Sequence, residues 1–462
     1  MKEYKAEFLR KAAGIAFDQQ HRMRIKHNIG QYDKAVAKGK ERLDNITQLR
    51  QRAYSTKFKA LHLLDQYLVE FEANFQRKGG KVIWACTAQD ALKEIHALLE
   101  KEHIEMVVKS KSMTTEEIGL NEFLEKKKIA VHETDLGEFI VQIAGEKPYH
   151  IVTPAMHKSK EDVSALYNEK FGLPANSSPE EITAFTRTHL REKFRLAGAG
   201  ITGANFIVAD TGSVALTENE GNGLLSMSTP KLHIVIAGIE KVIPSVEDLD
   251  LFWPLLATYG TGQTMTVYNS LVSAPAAENQ GPEQMVVILL DNGRSNLLSK
   301  ARLRMALGCI RCGACLNVCP VYKNIGGYTY NTTYTGPIGA VISPHTASME
   351  RNIHLSFASS LCGACTQVCP VNIPLHHMLL INRQEAVNKK LVPKNERFQL
   401  KNASSILLNR KRIDMTGPRL KNMVLRYFVS KDWGTKRKLP EFANKSFSQL
   451  WLEAEKEQGD KP

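Results

Sequence analysis

Apolar positions recur at helical spacing through the start of the chain, so residues 1–78 are expected to be helical throughout. The clearest stretch, Lys57 to Arg77, sets Leu61, Leu64, Leu68, Phe71 and Phe75 on one face, and packing is its expected role. From about residue 79 the period changes. Short apolar runs at Lys81–Ala85, Met106–Lys109, Ile129–Glu133 and His150–Thr153 read as strands. Helical stretches at Gln89–Glu100, Thr115–Lys127 and Leu136–Ala144 separate them, and such alternation predicts a parallel sheet covered on both faces. Helices Lys160–Phe171 and Pro179–Leu196 come next. The later segments, Asn205–Thr217, Lys231–Ala237, Thr264–Leu271 and Gln284–Leu290, are β-rich and are interrupted by helix Asp248–Thr258. Residues 79–295 therefore read as one α/β domain whose later strands mix in direction. Helix Asn296–Leu307 then leads into a cysteine-rich segment, 308–385, and a basic tail.

The chain has 462 residues, 43% of them hydrophobic and 24% charged, which excludes disordered, collagenous and coiled-coil classes. A chain of this length buries a large core unaided, so a metal site in it is expected to serve chemistry rather than folding. No run of eighteen apolar residues occurs, and no transmembrane helix is expected. The start, MKEYKAEFLRKAAG, lacks an apolar export region, which predicts a cytoplasmic protein. The net charge is +13, and residues 386–462 supply +10 of it, with 18 basic against 8 acidic residues. Such a tail is a solvated surface, or it docks on an acidic partner subunit or makes peripheral contact with an anionic membrane. Nucleic acid is not an expected partner, because no recognised binding motif accompanies the charge.

The cysteines change the picture most. Cys86, in VIWACTAQ, is expected to be a small buried hydrophobe. The other seven lie between 309 and 369. Cys309, Cys312, Cys315, Cys319 and Pro320 form the C-x2-C-x2-C-x3-C-P run of bacterial ferredoxins. Three thiolates two residues apart wrap one cubane, and the turn after them frees the fourth for a second cluster. Cys362, Cys365, Cys369 and Pro370 repeat the end of this run, with Ser359 where a further cysteine would stand. Crossed pairing assigns Cys309, Cys312, Cys315 and Cys369 to one [4Fe-4S] cluster. Cys319, Cys362 and Cys365 are left for a second, either [3Fe-4S] or [4Fe-4S]. Its last iron would take Ser359, a histidine (His354, His376 and His377 are near in sequence), water or a substrate atom. Disulfides do not suit a chain without an export signal, and structural zinc sites use separated C-x2-C pairs. The C-x3-C-x2-C signature of radical enzymes is absent, which favours electron transfer. Between the arrays, Tyr322, Tyr328, Tyr330 and Tyr334 are expected to shield the clusters from water.

Other signals are weaker. Gly198-Ala-Gly-Ile-Thr-Gly203 matches G-x-G-x-x-G, but it follows a predicted helix and precedes a predicted strand, the reverse of a dinucleotide site. The segment Asp210–Gly223 crowds Thr211, Ser213, Glu218, Glu220 and Asn222 after a core strand, either as an ordinary polar turn or as a pocket whose groups bind a small anion or serve as acid and base. Lys109 and Lys111, around a capping-box sequence, offer charge for the same anion.

On these residues the chain resembles the lactate utilization protein B family, the iron–sulfur components of bacterial L-lactate oxidation. The resemblance rests on SKSMTTEEIGLNEFL (110–124), ETDLGEFIVQIAGEKPYHIVTPAMHKS (133–159), GANFIVADTGSVALTENEGNG (203–223), both cysteine arrays and FANKSFSQLW (442–451). It implies an α/β lactate-utilization domain over 58–300, similar to ribose-phosphate isomerases and coenzyme-A transferases, and a helical ferredoxin-like two-cluster module over 301–385. Residues 1–57 are then an N-terminal helical segment and 386–462 the basic tail. It also implies work beside a cysteine-rich-domain subunit and a smaller lactate-utilization protein, and it supplies no catalytic residue. The expected role is a non-catalytic electron-transfer subunit of a multi-protein complex that oxidises L-lactate to pyruvate, with an unidentified acceptor and without a flavin or nicotinamide site of its own. A redox-sensing regulator, or an electron-transfer subunit for another 2-hydroxy acid such as glycolate, are the alternatives.

Overall fold

A computed structural model of the chain describes residues 2–273, 281–433 and 438–459. Residues 1–386 form one compact unit and residues 387–462 a second.

The N-terminal region is helical, as its period requires, in four pieces: Lys2–Ala16, Gln19–Lys40, Ile46–His62 and Leu64–Arg77. The stretch expected as one helix over Lys57–Arg77 kinks at Leu63, whose backbone leaves the helical region at φ −114° and ψ 34°. Leu61, Leu64, Leu68, Phe71 and Phe75 are all buried, so the kink turns the helix without breaking its apolar face.

Among the described residues ten strands come after these helices: β1 (Lys81–Ala85), β2 (Met106–Lys109), β3 (Ala130–Glu133), β4 (Ala199–Gly203), β5 (Phe206–Val208), β6 (Ser213–Glu218), β7 (Leu232–Gly238), β8 (Val242–Ile243), β9 (Tyr268–Val272) and β10 (Gln284–Leu290). Six of them make a wholly parallel sheet in the order β1-β10-β7-β4-β2-β3. Its central strands β4 and β7 are buried along their whole length, as continuous apolar runs in a doubly covered sheet should be. The mixed directions expected within this sheet fall instead in a separate one, β8-β5-β6-β9, where β6 runs antiparallel to both neighbours. In the large sheet β2 leads outward to β3, whereas β4 leads the other way to β7. The carboxyl ends of β2 and β4 therefore flank a topological switch point, the place where open α/β sheets leave a crevice.

Several local expectations are corrected. His150–Thr153 is a turn, not a strand: the buried His150 ring accepts at Nδ1 from the Val152 N–H (3.1 Å) and the Thr153 N–H (3.3 Å). Helix Thr115–Lys127 divides at Gly119, left-handed at φ 68°. Asn296–Leu307 holds only a short helix, Arg294–Leu298, and a 3-10 turn, Arg304–Gly308. Cys86 is exposed, because it lies just past the end of edge strand β1, where alternation turns it outward. The Gly198–Gly203 motif is essentially β4 itself. There Gly200 lets the helix Asn222–Ser228 approach: a Cβ would sit 1.6 Å from the Ser226 carbonyl oxygen.

The cysteine-rich segment is helical, with short helices Ala314–Val318, Pro320–Ile325 and Ala364–Val368 between longer ones at Gly336–Thr346, Met349–Phe357 and Leu375–Asn388. Five of its cysteines share an apolar cluster with Ile25, Ile29, Phe206 and Phe252, so the segment is packed into the N-terminal helices and the small sheet. The second unit is built from helices that include Lys394–Leu407 and Phe447–Gly459, and it exposes Leu407, Leu408, Met415, Tyr427 and Phe447 beside its basic residues. No helix among the described residues is long and apolar enough to cross a membrane.

Candidate metal centre and adjoining cavity

The two cysteine arrays repeat one local design. In the first, Arg311 adopts φ 63° and its N–H donates to Cys309 Sγ at 3.4 Å. In the second, Leu361 adopts φ 56° and its N–H donates to Ser359 Oγ at 3.1 Å. Left-handed Gly313 and Gly363 then open the helices Ala314–Val318 and Ala364–Val368. Ser359 thus holds the local position in its turn that Cys309 holds in the first.

None of the seven cysteines is in a disulfide, and all but Cys309 and Cys362 are buried. Their mutual influence sorts them into two sets. Burial, then repulsion by Cys309 and Cys369, pushes the Cys312 thiol up, and Cys315 is raised by burial with Cys309, Cys312 and Cys369. Burial and Cys309 raise Cys369 to about 12. Elsewhere, burial and Cys362 raise Cys319, and burial with Cys319 and Cys362 raises Cys365 to about 11. Cys309, Cys312, Cys315 and Cys369 thus disfavour one another's ionisation, as Cys319, Cys362 and Cys365 do one another's. Thiols pressed together in a dry interior resist ionisation, and bound cationic metal reverses that.

Groups distant in sequence hold this region. Arg50, from helix Ile46–His62, donates to the carbonyl oxygens of Cys369 (2.9 Å) and Gln367 (2.8 Å). Tyr322 and Tyr330 are buried against the thiols and shield them, whereas Tyr328 is exposed and bonds the Lys147 carbonyl at 2.6 Å. His376 is tied to Thr366 Oγ1 at 2.7 Å, and His354 packs edge-on to Phe8.

A buried chain of charge crosses from the sheet to the first array. Arg294, after β10, makes a two-pronged contact with Glu117 (2.7 and 2.9 Å) and donates from Nε to Glu240 at 2.5 Å. Glu240, in the turn after β7, also meets Arg311 at 3.4 Å. Tyr334 donates to Glu117 at 2.6 Å while the Arg311 guanidinium lies 4.3 Å above its ring. Burial alone would push the Glu240 carboxyl up, but Arg294, Arg311 and Lys241 hold it down at about 2.

Beside this chain opens a cavity of about 670 Å³ at the carboxyl ends of β2 and β4. Residues 110–114 and 203–205 form its floor, and Lys111, Lys241, Arg311, Cys312, Glu218 and Glu220 are in its wall. The sequence signals at Lys111, Glu218, Glu220 and Asn222 converge here, but Thr211 and Ser213 do not line it. Lys109 does not serve it either. Fully buried, it is pinned between Glu133 (2.8 Å) and Glu116 (3.3 Å). Lys111 donates to the Val152 carbonyl at 2.9 Å and lies 3.5 Å from Asp135. Glu218 accepts from the Gly223 and Leu224 N–H groups, each at 2.7 Å. Burial and Asp135 raise Glu220 to about 7, and burial lowers Lys241 to about 8. Sequence reasoning missed Arg50, Glu117, Glu240, Lys241 and Arg294. Glu117 lies inside SKSMTTEEIGLNEFL, where nothing singles it out, and no motif marks the other four.

Comparison with known proteins fits this division. Residues 68–290 match the LUD domain, and residues 305–373 match the 4Fe-4S dicluster domain. Lactate utilization protein B of Bacillus cytotoxicus is 40% identical over 442 residues, covering 92% of each chain. The chain belongs to the lactate utilization protein B family. The Bacillus subtilis member is 42% identical over 365 residues, covering 78% of this chain and 76% of its own, and lactate utilization protein B 2 of Bacillus mycoides is 40% identical over 437 residues. A DUF162 family protein of Deinococcus radiodurans aligns with a TM-score of 0.29 at 14% identity, covering 49% of this chain and 98% of that one. A parallel α/β domain followed by a helical dicluster module is thus the architecture of the chain, as expected, and its grouped thiols fit iron–sulfur clusters.

Proposed function

We propose that this chain is the iron–sulfur electron-transfer component of a cytoplasmic, multi-protein system that oxidises L-lactate to pyruvate. The observation that carries the reading is the burial of five of the seven array cysteines in one apolar cluster of one compact unit, within a segment that matches the 4Fe-4S dicluster domain. Cys309, Cys312, Cys315 and Cys369 would hold one [4Fe-4S] cluster, and Cys319, Cys362 and Cys365 the second, with Ser359 Oγ as the candidate for its remaining ligand. When bound, such clusters accept and release electrons one at a time, which suits a partner that removes two from a 2-hydroxy acid.

The chain's own residues prepare the centre. Arg311 and Leu361 orient the two turns through their N–H groups, Arg50 fixes the backbone at Cys369, and Tyr322 and Tyr330 exclude water. A cysteine-rich-domain subunit and a smaller lactate-utilization protein are the proposed partners, and the exposed apolar and basic residues of 387–462 give them a surface to meet. Low-temperature EPR with iron and sulfide counting on anaerobically purified protein tests the reading. Signals from two clusters, with about eight irons when both are cubanes, and reduction of both by the partner subunits with L-lactate, are expected. Zinc without iron, or clusters that stay oxidised in the complete system with lactate, would overturn it.

A further inference from the structure

The electron-transfer reading leaves the cavity unused, although its position is the one that open parallel sheets give to ligands. The floor is made by the segments that leave β2 and β4 on either side of the switch point, and the wall reaches Cys312. A volume of about 670 Å³ lies well inside the range of small-molecule sites.

Its charges are unequally satisfied. Lys111 is committed to Asp135 and the Val152 carbonyl, and Glu218 to two backbone N–H groups. Lys241 is different. It is only 8% exposed, and among the described residues no hydrogen bond or salt bridge reaches its Nζ. Arg311, one-tenth exposed, spends Nη2 on a long contact to Glu240 and has no partner at Nη1. The Arg311 Nη1 without a partner, and a Lys241 ammonium that shares the single carboxylate of Glu240 with Arg294 and Arg311, leave positive charge in this wall for an anion to meet. The acidic side of the same lining, Asp135, Glu218 and Glu220, sets a limit on that anion. A doubly charged phosphate would be repelled there, whereas a monoanion whose hydroxyl donates to a carboxylate, or whose keto oxygen accepts from Glu220 while that carboxyl holds its proton, meets both sides favourably.

We propose that this cavity binds a small organic carboxylate, with Lys241 and Arg311 taking its charge beside Cys312 and the Glu220 side of the wall facing its polar substituent. The choice of 2-hydroxy and 2-oxo acids within that class rests on the functional reading above. The α/β domain then contributes a ligand site of its own rather than serving only as a support for the cysteine module.

Ligand-observed NMR titrations on the full-length, iron-containing protein test this with L-lactate, pyruvate and inorganic phosphate as probes. L-Lactate or pyruvate should bind, and Lys241→Gln should weaken that binding at least tenfold with iron content unchanged. Thr261→Phe, which narrows the cavity from a partly exposed helical position, should weaken it in the same sense and guards against a folding defect in the first variant. Binding unaffected by both substitutions, phosphate binding in preference to carboxylates, or no binding at all would overturn the proposal. The two readings fail separately. Absent binding in iron-loaded protein defeats only the cavity, and zinc in place of iron defeats only electron transfer.

Discussion

Arg294→Met should be among the most damaging substitutions outside the cysteines. The guanidinium is 1% exposed and joins two carboxylates whose side chains are themselves 9% (Glu117) and 1% (Glu240) exposed. Methionine keeps much of the volume but leaves both carboxylates short of a partner. Holding Glu240 at about 2 rather than near 4.5 corresponds to about 3 kcal/mol at 1.36 kcal/mol per unit, and Arg294 is the first of the cations responsible. That agrees with the about 3–5 kcal/mol lost when one partner of a buried ion pair is removed. The pH dependence has a definite sign. A depressed carboxyl contributes stability that is present above its unfolded value and lost as pH falls through the folded one, so the wild-type contribution fades between about 4.5 and 2. The gap between wild type and Arg294→Met should therefore be widest near neutrality and narrow in acid. Anaerobic urea unfolding at several pH values measures it, and adding Glu240→Gln to Arg294→Met should recover part of the loss. A single variant within 1 kcal/mol of wild type at neutral pH, or a double variant no better than the single, would refute the reasoning.

Other parts of the molecule support three further expected outcomes. Replacing Ser359 by Cys should alter the EPR signature of the second cluster and leave that of the first unchanged, because the Ser359 turn copies the Cys309 turn; an unchanged second signal would remove Ser359 from the ligand set. His233, fully buried on β7 with its Nε2 2.9 Å from Thr202 Oγ1, is lowered by burial to about 3. The unfolded chain takes up its proton first, so stability should fall as pH drops from about 6.5 toward 3, by about 1.4 kcal/mol per unit from this residue; His233→Gln should flatten the unfolding profile across that window. Gly200→Ala should cost about 3 kcal/mol, the upper end for overpacking, because its Cβ would strike the Ser226 carbonyl, and a loss under 1 kcal/mol in unfolding midpoints would show the helix free to move.

The parts of this molecule that could be read from its sequence are those whose cause is local. Helices Lys160–Phe171 and Pro179–Leu196 begin where expected, because Ser159 and Ser178 each make a reciprocal capping box at the start. The buried strands were legible for a similar reason, since β10 is a continuous apolar run. The His150–Thr153 turn has the same apolar look as a strand, and only the histidine ring closing on its own backbone decides otherwise. The separation of the small sheet was hidden too, because β5 comes after β4 with only two residues between them and the sequence does not mark the change of sheet.

The same division runs through the site. Ligand spacing is a local property, since neighbouring thiols must reach one metal group, and so the arrays announce themselves. The charge chain and the cavity are assembled from strand ends that are far apart in sequence, and their members carry no shared pattern. Glu117, Glu240 and Arg294 meet because β2, β7 and β10 run parallel and deliver the turns and helices at their carboxyl ends to the same edge. That arrangement also places Arg311 in contact with Glu240, within the first cysteine turn itself. The metal centre and the α/β domain are therefore joined through buried charge, with Cys309 acting on Arg311 and Arg311 meeting Glu240.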